Sequence, residues 1–370
     1  MSLKLLSTMQ NKFILLCAAT VALAACAKTE VTPEVLNQDA EITFLTAPVT
    51  KAANADTEKT FVNTNVFQTA AFYDANNFAY GSETAESYIT PSKVKYFTNV
   101  WKVADSANET LAKSYYWPKD GGKLSFFSWS LNKTTLDFEN TAISAPSISI
   151  ANGVKLEGYT SASNDDFMVA DPAFDMTQNN KTPKYYTEGV PTLFRHKTAL
   201  VAFKVVTKGD YDVAPMYQTF TVTGIDFVNV ATKGTYTQYD SEAQKETWTK
   251  TTTGDLTYFA GSQVVKYNDG TAQDLAKTAT ELFIPETYLA NTEDNFQTLQ
   301  VKYTVSRNNG SKVTSTKEYT KNICLKDILK DSIAAGKKYV ITLTFGLDEI
   351  LWDPAVYEWE VGTSGSAEIK

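Results

Sequence analysis

Apolar and polar residues alternate at period two along most of the chain, the mark of strands that bury one face. In Glu41–Thr46 (EITFLT), Ile42 and Phe44 share one side. The same alternation predicts strands over 61–73, Lys123–Ser130, Ser147–Ile150 and Asp166–Ala170. Asp120-Gly121-Gly122 forms a turn ahead of the second of these. From Asp171 to Gly189 the chain is rich in Asp, Asn, Pro and Thr and reads as a linker. Beyond it, 191–207, Phe220–Val230, Gly234–Tyr239, Glu281–Ile284, Leu299–Val305 and Tyr339–Phe345 continue the pattern. One segment departs from it: Leu325, Ile328, Leu329 and Ile333 fall at helical spacing, with Asn322 placed to cap and Gly336 to stop. At the C-terminus Ala355, Tyr357, Trp359 and Val361 alternate with Val356, Glu358 and Glu360, giving a strand with one apolar side. This density of strands predicts an all-β chain of two tandem β-sandwich domains, with a short helix in the second. The expected division is 41–185 and 186–370.

The first 40 residues follow different rules. Lys4 and Lys12 flank a polar start, Phe13–Ala22 is a short apolar run, and Leu23-Ala24-Ala25 precedes Cys26. A basic region, an apolar stretch of about ten residues and small residues before a cleavage point make a secretory signal over 1–25. L-A-A-C resembles the lipobox of bacterial lipoproteins, which makes Cys26 the acylated residue. Acyl chains contribute about 0.8 kcal/mol per buried CH₂, so several anchor a domain without a spanning helix. Residues 26–40 read as a tether, and Lys51 and Lys59 lie in a small, polar segment open to a protease.

Composition narrows the functions available. The chain has 34 Lys and Arg against 42 Asp and Glu, a net charge of −8, and its only arginines are Arg195 and Arg307. Without a basic cluster, nucleic-acid binding is disfavoured. Of three cysteines, Cys17 leaves with the signal and Cys26 is lipidated. Cys324 then stands alone among Ile323, Leu325 and Ile328, which excludes a disulfide framework and predicts a buried thiol. His196 is the single histidine. It has no G-x-S-x-G elbow near it, so it reads as a structural residue at a strand start or domain junction rather than a catalytic base. No phosphate-binding glycine motif occurs. The densest acidic patch, Asp165, Asp166, Asp171 and Asp175, reads as solvated loop charge without a calcium-loop spacing. Adjacent strand residues face opposite ways, so Asp165 and Asp166 make a poor glycosidase pair. Neither a cofactor nor a metal is called for, and no enzyme is expected.

Several segments together resemble the Bacteroidales fimbrillin family, the pilins of type V pili. They are LAAC, EITF followed by VTKA, YYWPKDGGKLSFFSW (115–129), DFMVA (166–170), VPTLFRHKTALVAFKV (190–205), LFIPETY (282–288) and the C-terminal 334–361. The resemblance implies two transthyretin-like sandwiches and a structural role in adhesion. It implies a lipoprotein precursor held at the outer membrane, cut by a trypsin-like protease, and assembled into a surface fimbrium by strand exchange. Carried onto this chain, Cys26 is the lipid site and Ile42 and Phe44 belong to the strand expelled after cleavage. The 46–59 segment lacks Arg, so Lys51 becomes the expected cut site. The donated strand comes from Ala355, Tyr357, Trp359 and Val361. The partners implied are other fimbrial subunits and a host or bacterial surface receptor. The other reading is a surface lipoprotein that does not polymerise and holds glycans, for which Tyr115, Tyr116, Trp117 and Trp248 are aromatic candidates.

Overall fold

Val, Phe, Tyr and Thr fill the alternating positions, and β-branched and aromatic side chains pack well on a pleated surface. The computed structural model describes residues 40–46, 61–136, 144–178, 189–347 and 350–359. In chain order the first strands are β1 (Phe44–Leu45), β2 (Phe67–Asp74), β3 (Glu86–Phe97), β4 (Val100–Val103) and β5 (Lys123–Ser130). Next come β6 (Ser147–Ser149), β7 (Gly153–Thr160), β8 (Met168–Ala170), β9 (Ala173–Met176), β10 (Val190–Pro191) and β11 (Phe194–His196). The middle of the chain supplies β12 (Ala199–Thr207), β13 (Gln218–Asp240), β14 (Lys245–Val265), β15 (Gln273–Leu275), β16 (Leu282–Phe283) and β17 (Glu286–Thr287). The last strands are β18 (Thr298–Asn308), β19 (Val313–Cys324), β20 (Ser332–Ile333), β21 (Lys337–Phe345) and β22 (Ile350–Glu358).

One sheet runs β10-β1-β4-β3-β2-β5-β8-β11, with β9 also on β5. A second runs β15-β12-β21-β22, with β16 on β12, and a third runs β19-β18-β13-β7-β6, with β14 on β13. Strand pairing crosses position 185/186, because β1 pairs with β10, β8 with β11, and β7 with β13. Between the second and third sheets lies one core, including Val201, Phe203, Phe227, Val301, Ile341 and Leu343. Another gathers Phe127, Trp129, Leu156, Phe167 and Tyr236.

Some sequence expectations change. Phe220–Val230 and Gly234–Tyr239 are not two strands but parts of β13, which runs 23 residues through register shifts against β14. The expected linker contains β9, whose Ala173 and Met176 pair with β5 and are buried. The helix shrinks to one turn, Leu325–Leu329. Asn322 does not cap it, because the β18–β19 ladder continues to Cys324 and claims Asn322 opposite Gln300. Lys330, at φ 65, ends the turn, and Ile333 belongs to β20. Cys324 is buried as expected, its thiol near the Leu289 carbonyl.

Candidate functional site

Four residues of the first strand region make an unusually well-held short element. Ile42 and Phe44 are each 2% exposed. Phe44 pairs with Val190 in parallel β10 on one flank and with Trp101 in antiparallel β4 on the other. The Ile42 N–H donates to the Tyr115 carbonyl (2.7 Å), the Val190 N–H to Thr43 (2.7 Å) and the Thr192 N–H to Leu45 (2.9 Å). Beneath the strand, the Phe44 ring meets Phe67 and Phe126 edge-on, at centroid distances of 5.7 and 5.9 Å. Phe67 in turn touches Trp101 and Phe194, and Phe61 packs on both of those rings. The edge-to-face pairs among them, Phe44–Phe67, Phe44–Phe126 and Phe67–Phe194, contribute beyond the area they bury.

At the head of the strand, Glu41 accepts hydrogen bonds from Lys102 and Ser114. Burial pushes its carboxyl upward, but those two donors and the Lys102 charge outweigh it and hold the carboxyl below its ordinary range. β1 is therefore an interior strand of only two residues, flanked on both sides and seated on an aromatic floor. Taking it away would leave unpaired edges on β4 and β10 above an apolar trough.

The terminal strand occupies a different kind of position. β22 pairs along its length with β21, from Phe345↔Ile350 to Lys337↔Glu358, and forms the edge of its sheet. Ala355 and Tyr357 are half-buried, while Leu351 and Val356 are exposed. Trp359 follows the strand and is buried. Its ring lies flat on His196, with centroids 3.6 Å apart and planes 8° from parallel. The Trp359 N–H donates to Gly336, whose own N–H donates to Thr198.

His196 ends β11 fully buried, its Nδ1 2.7 Å from Asp166 Oδ1. Asn132 donates to the other oxygen of that carboxylate at 2.8 Å. Asp165 and Asp166 are thus not solvated loop charge: they are 2% and 4% exposed, and Asp165 pairs with Lys133. Buried carboxylates persist where donors satisfy them, and those donors come from segments 30 or more residues away in sequence. Asp171 pairs with Arg195, and Asp175 accepts the Phe78 N–H, so the acidic patch does not converge on one point. Trp117 is buried and Trp248 donates to the Lys197 carbonyl from a half-buried position, whereas Tyr116 is exposed. Among the described residues, no group of three or more His, Cys, Asp or Glu could hold a metal. No described helix is long and apolar enough to cross a membrane. Cys26, Lys51 and Val361 lie outside the described residues.

This geometry can be set beside known proteins. The fimbrillin-like family matches residues 50–359. A crystal structure of a fimbrial protein from Bacteroides vulgatus superposes with a TM-score of 0.55 at 17% identity, covering 86% of this chain and 99% of that one. A candidate cell adhesion protein from Bacteroides uniformis matches with a TM-score of 0.46 at 13% identity, over 87% and 99% of the two chains. The tip fimbrial protein Mfa3 from Porphyromonas gingivalis, truncated at its C-terminus, matches with 0.35 at 8%, over 86% and 100%. No curated protein matches significantly. With its match spanning most of its length, this chain belongs to the fimbrillin-like family.

Proposed function

We propose that the chain is a structural subunit of a type V fimbria, built as two tandem transthyretin-like sandwiches and made as an outer-membrane lipoprotein anchored through Cys26. Cleavage after Lys51 frees β1, and the vacated slot accepts the terminal strand of a neighbouring copy, with Ala355, Tyr357, Trp359 and Val361 as the donated residues. The observation that carries this reading is the seat of β1: two residues, two flanking strands and a floor of aromatic rings. A replacement strand restores the main-chain hydrogen bonds and reburies the rings, the chemistry of β-augmentation. Covering four apolar side chains contributes on the order of 5–10 kcal/mol by area. The donor half of the reading is supported by β22, which is held along one edge only; donating it lifts Trp359 off the His196 ring. Slot and donor lie at different places on the surface, so the contact is heterologous and propagates as a filament that presents its subunits to a surface receptor.

Two measurements test it. The N-terminal residue of protein recovered from the cell surface should be Ala52; finding only Cys26 would mean an uncut lipoprotein. Deleting residues 354–370 should abolish the ladder of polymers in denaturing gels while a folded monomer persists. Ladders unchanged by the deletion would remove the donor assignment.

A further inference from the structure

Gly189 lies directly before β10, at the wall of the slot. A Cβ built there would stand 2.8 Å from the Phe44 carbonyl carbon, 2.9 Å from the Thr43 oxygen and 3.0 Å from the Phe44 nitrogen. All three are backbone atoms of the β1 region, which cannot swing aside as the tip of a side chain can. At the two other described glycines where a Cβ would come closer than 3.0 Å to another atom, the nearest obstacle is a side chain. At Gly122 the obstacle is the Tyr73 ring, and at Gly153 it is Gln238 and Phe127 side-chain atoms. Gly189 does not adopt the left-handed conformation that would itself call for glycine. What requires glycine there is the closeness of the neighbouring strand. The spacing also serves the hydrogen bonds, since the next N–H groups, those of Val190 in β10 and Thr192 just beyond it, donate to Thr43 and Leu45.

We infer that Gly189 is the positioning residue that admits a strand into the slot, both β1 in the precursor and the strand of a second copy that replaces it. This rests on the strand-exchange reading for the second half of the claim and on the contact geometry alone for the first. The smallest side chain at 189 pushes on the main chain of whichever strand lies there, so the acceptor function suffers and the donor function does not.

The test uses the full precursor, wild type and Gly189→Ala, cut with trypsin in the 46–59 segment. Release of the N-terminal fragment is followed by native mass spectrometry. In the variant it should be faster by about tenfold or more, the effect expected of an overpacked contact. In mixing experiments with tagged subunits, Gly189→Ala should take up wild-type donor strands about tenfold more slowly, yet donate its own terminal strand to wild-type acceptors at the wild-type rate. Equal release and equal uptake would overturn the inference, as would equal loss of donating and accepting, which marks general misfolding. If wild-type subunits never polymerise, strand exchange itself fails, and the release rates alone decide the role of Gly189 toward β1. If the precursor variant does not accumulate, the same substitution in a chain starting at Ala52 should be tolerated as well as the wild-type residue. Failure there too, where the wild-type chain starting at Ala52 folds, would overturn the inference, because the strand it opposes is gone.

Discussion

Replacing Phe44 with Ala removes the ring that faces Phe67 and Phe126. The side chain is 2% exposed, and its neighbours are other large rings fixed by β2 and β5, which cannot collapse into the space. A buried Phe→Ala change of this kind costs about 3–5 kcal/mol, transfer and cavity together. Leu45, the next residue, is only half-buried. Its truncation should cost about 1 kcal/mol or less. The assay is urea unfolding of the uncut protein without its signal, read by tryptophan fluorescence, with both variants beside the wild type. Because β1 spans only two residues, the same substitution should also speed loss of the N-terminal fragment once the 46–59 segment is cut. Phe44→Ala costing under 1 kcal/mol, or no more than Leu45→Ala, would show that the first strand does not seal a hydrophobic trough. β1 would then not be the replaceable strand of an apolar slot.

Three further outcomes are expected. The Glu41 carboxyl is held below its ordinary value of 4.5, so its contribution is present above that pH and lost as the pH falls through the lowered value. The stability gap between wild type and Glu41→Gln should therefore be present at neutral pH and close on acidification; a gap independent of pH down to 3 would contradict this. Asp166→Ala strands the His196 and Asn132 donors in a buried site and should cost about 1–3 kcal/mol in chemical denaturation; a loss within error of zero would refute the pairing. Trp359→Ala uncovers His196, the single histidine, which should then react readily with diethyl pyrocarbonate while the wild type is protected. Equal reactivity in both would mean that the indole does not cover the ring.

Strands that bury one full face were legible in the sequence. Tyr339–Phe345 alternates cleanly and lies in β21, whereas Lys123–Ser130 lies in β5, which is buried on both faces beyond Lys123. Ile42 and Phe44 share a face in the sequence and a buried floor in the fold. What escaped was polar or interrupted. β14 and β19 are rich in Thr and Lys and largely exposed, and they are strands because β13 and β18 give them long partners to pair with. β3 contains Pro91, which argues against a strand, and its hairpin to β4 turns at Thr98-Asn99, both at positive φ. That is the backbone of a tight hairpin turn without the glycine that usually signals one. The burial of Asp165 and Asp166 depends on Lys133, Asn132 and His196, and no local pattern encodes partners so far along the chain. Gly189 read only as the end of a linker, because what requires glycine there is the Phe44 backbone, far along the chain.

β13 has one more consequence. Near its start it is zipped to β18, and near its end to β7, so a single uninterrupted backbone belongs to the framework around both hydrophobic cores. A pull applied along the axis of β13 would load this strand lengthwise. Hydrogen bonds crossing a strand at right angles then share the strain in shear, many at once, instead of opening one by one. Along β13, tension meets a continuous ladder where a flexible linker between the two cores would yield first.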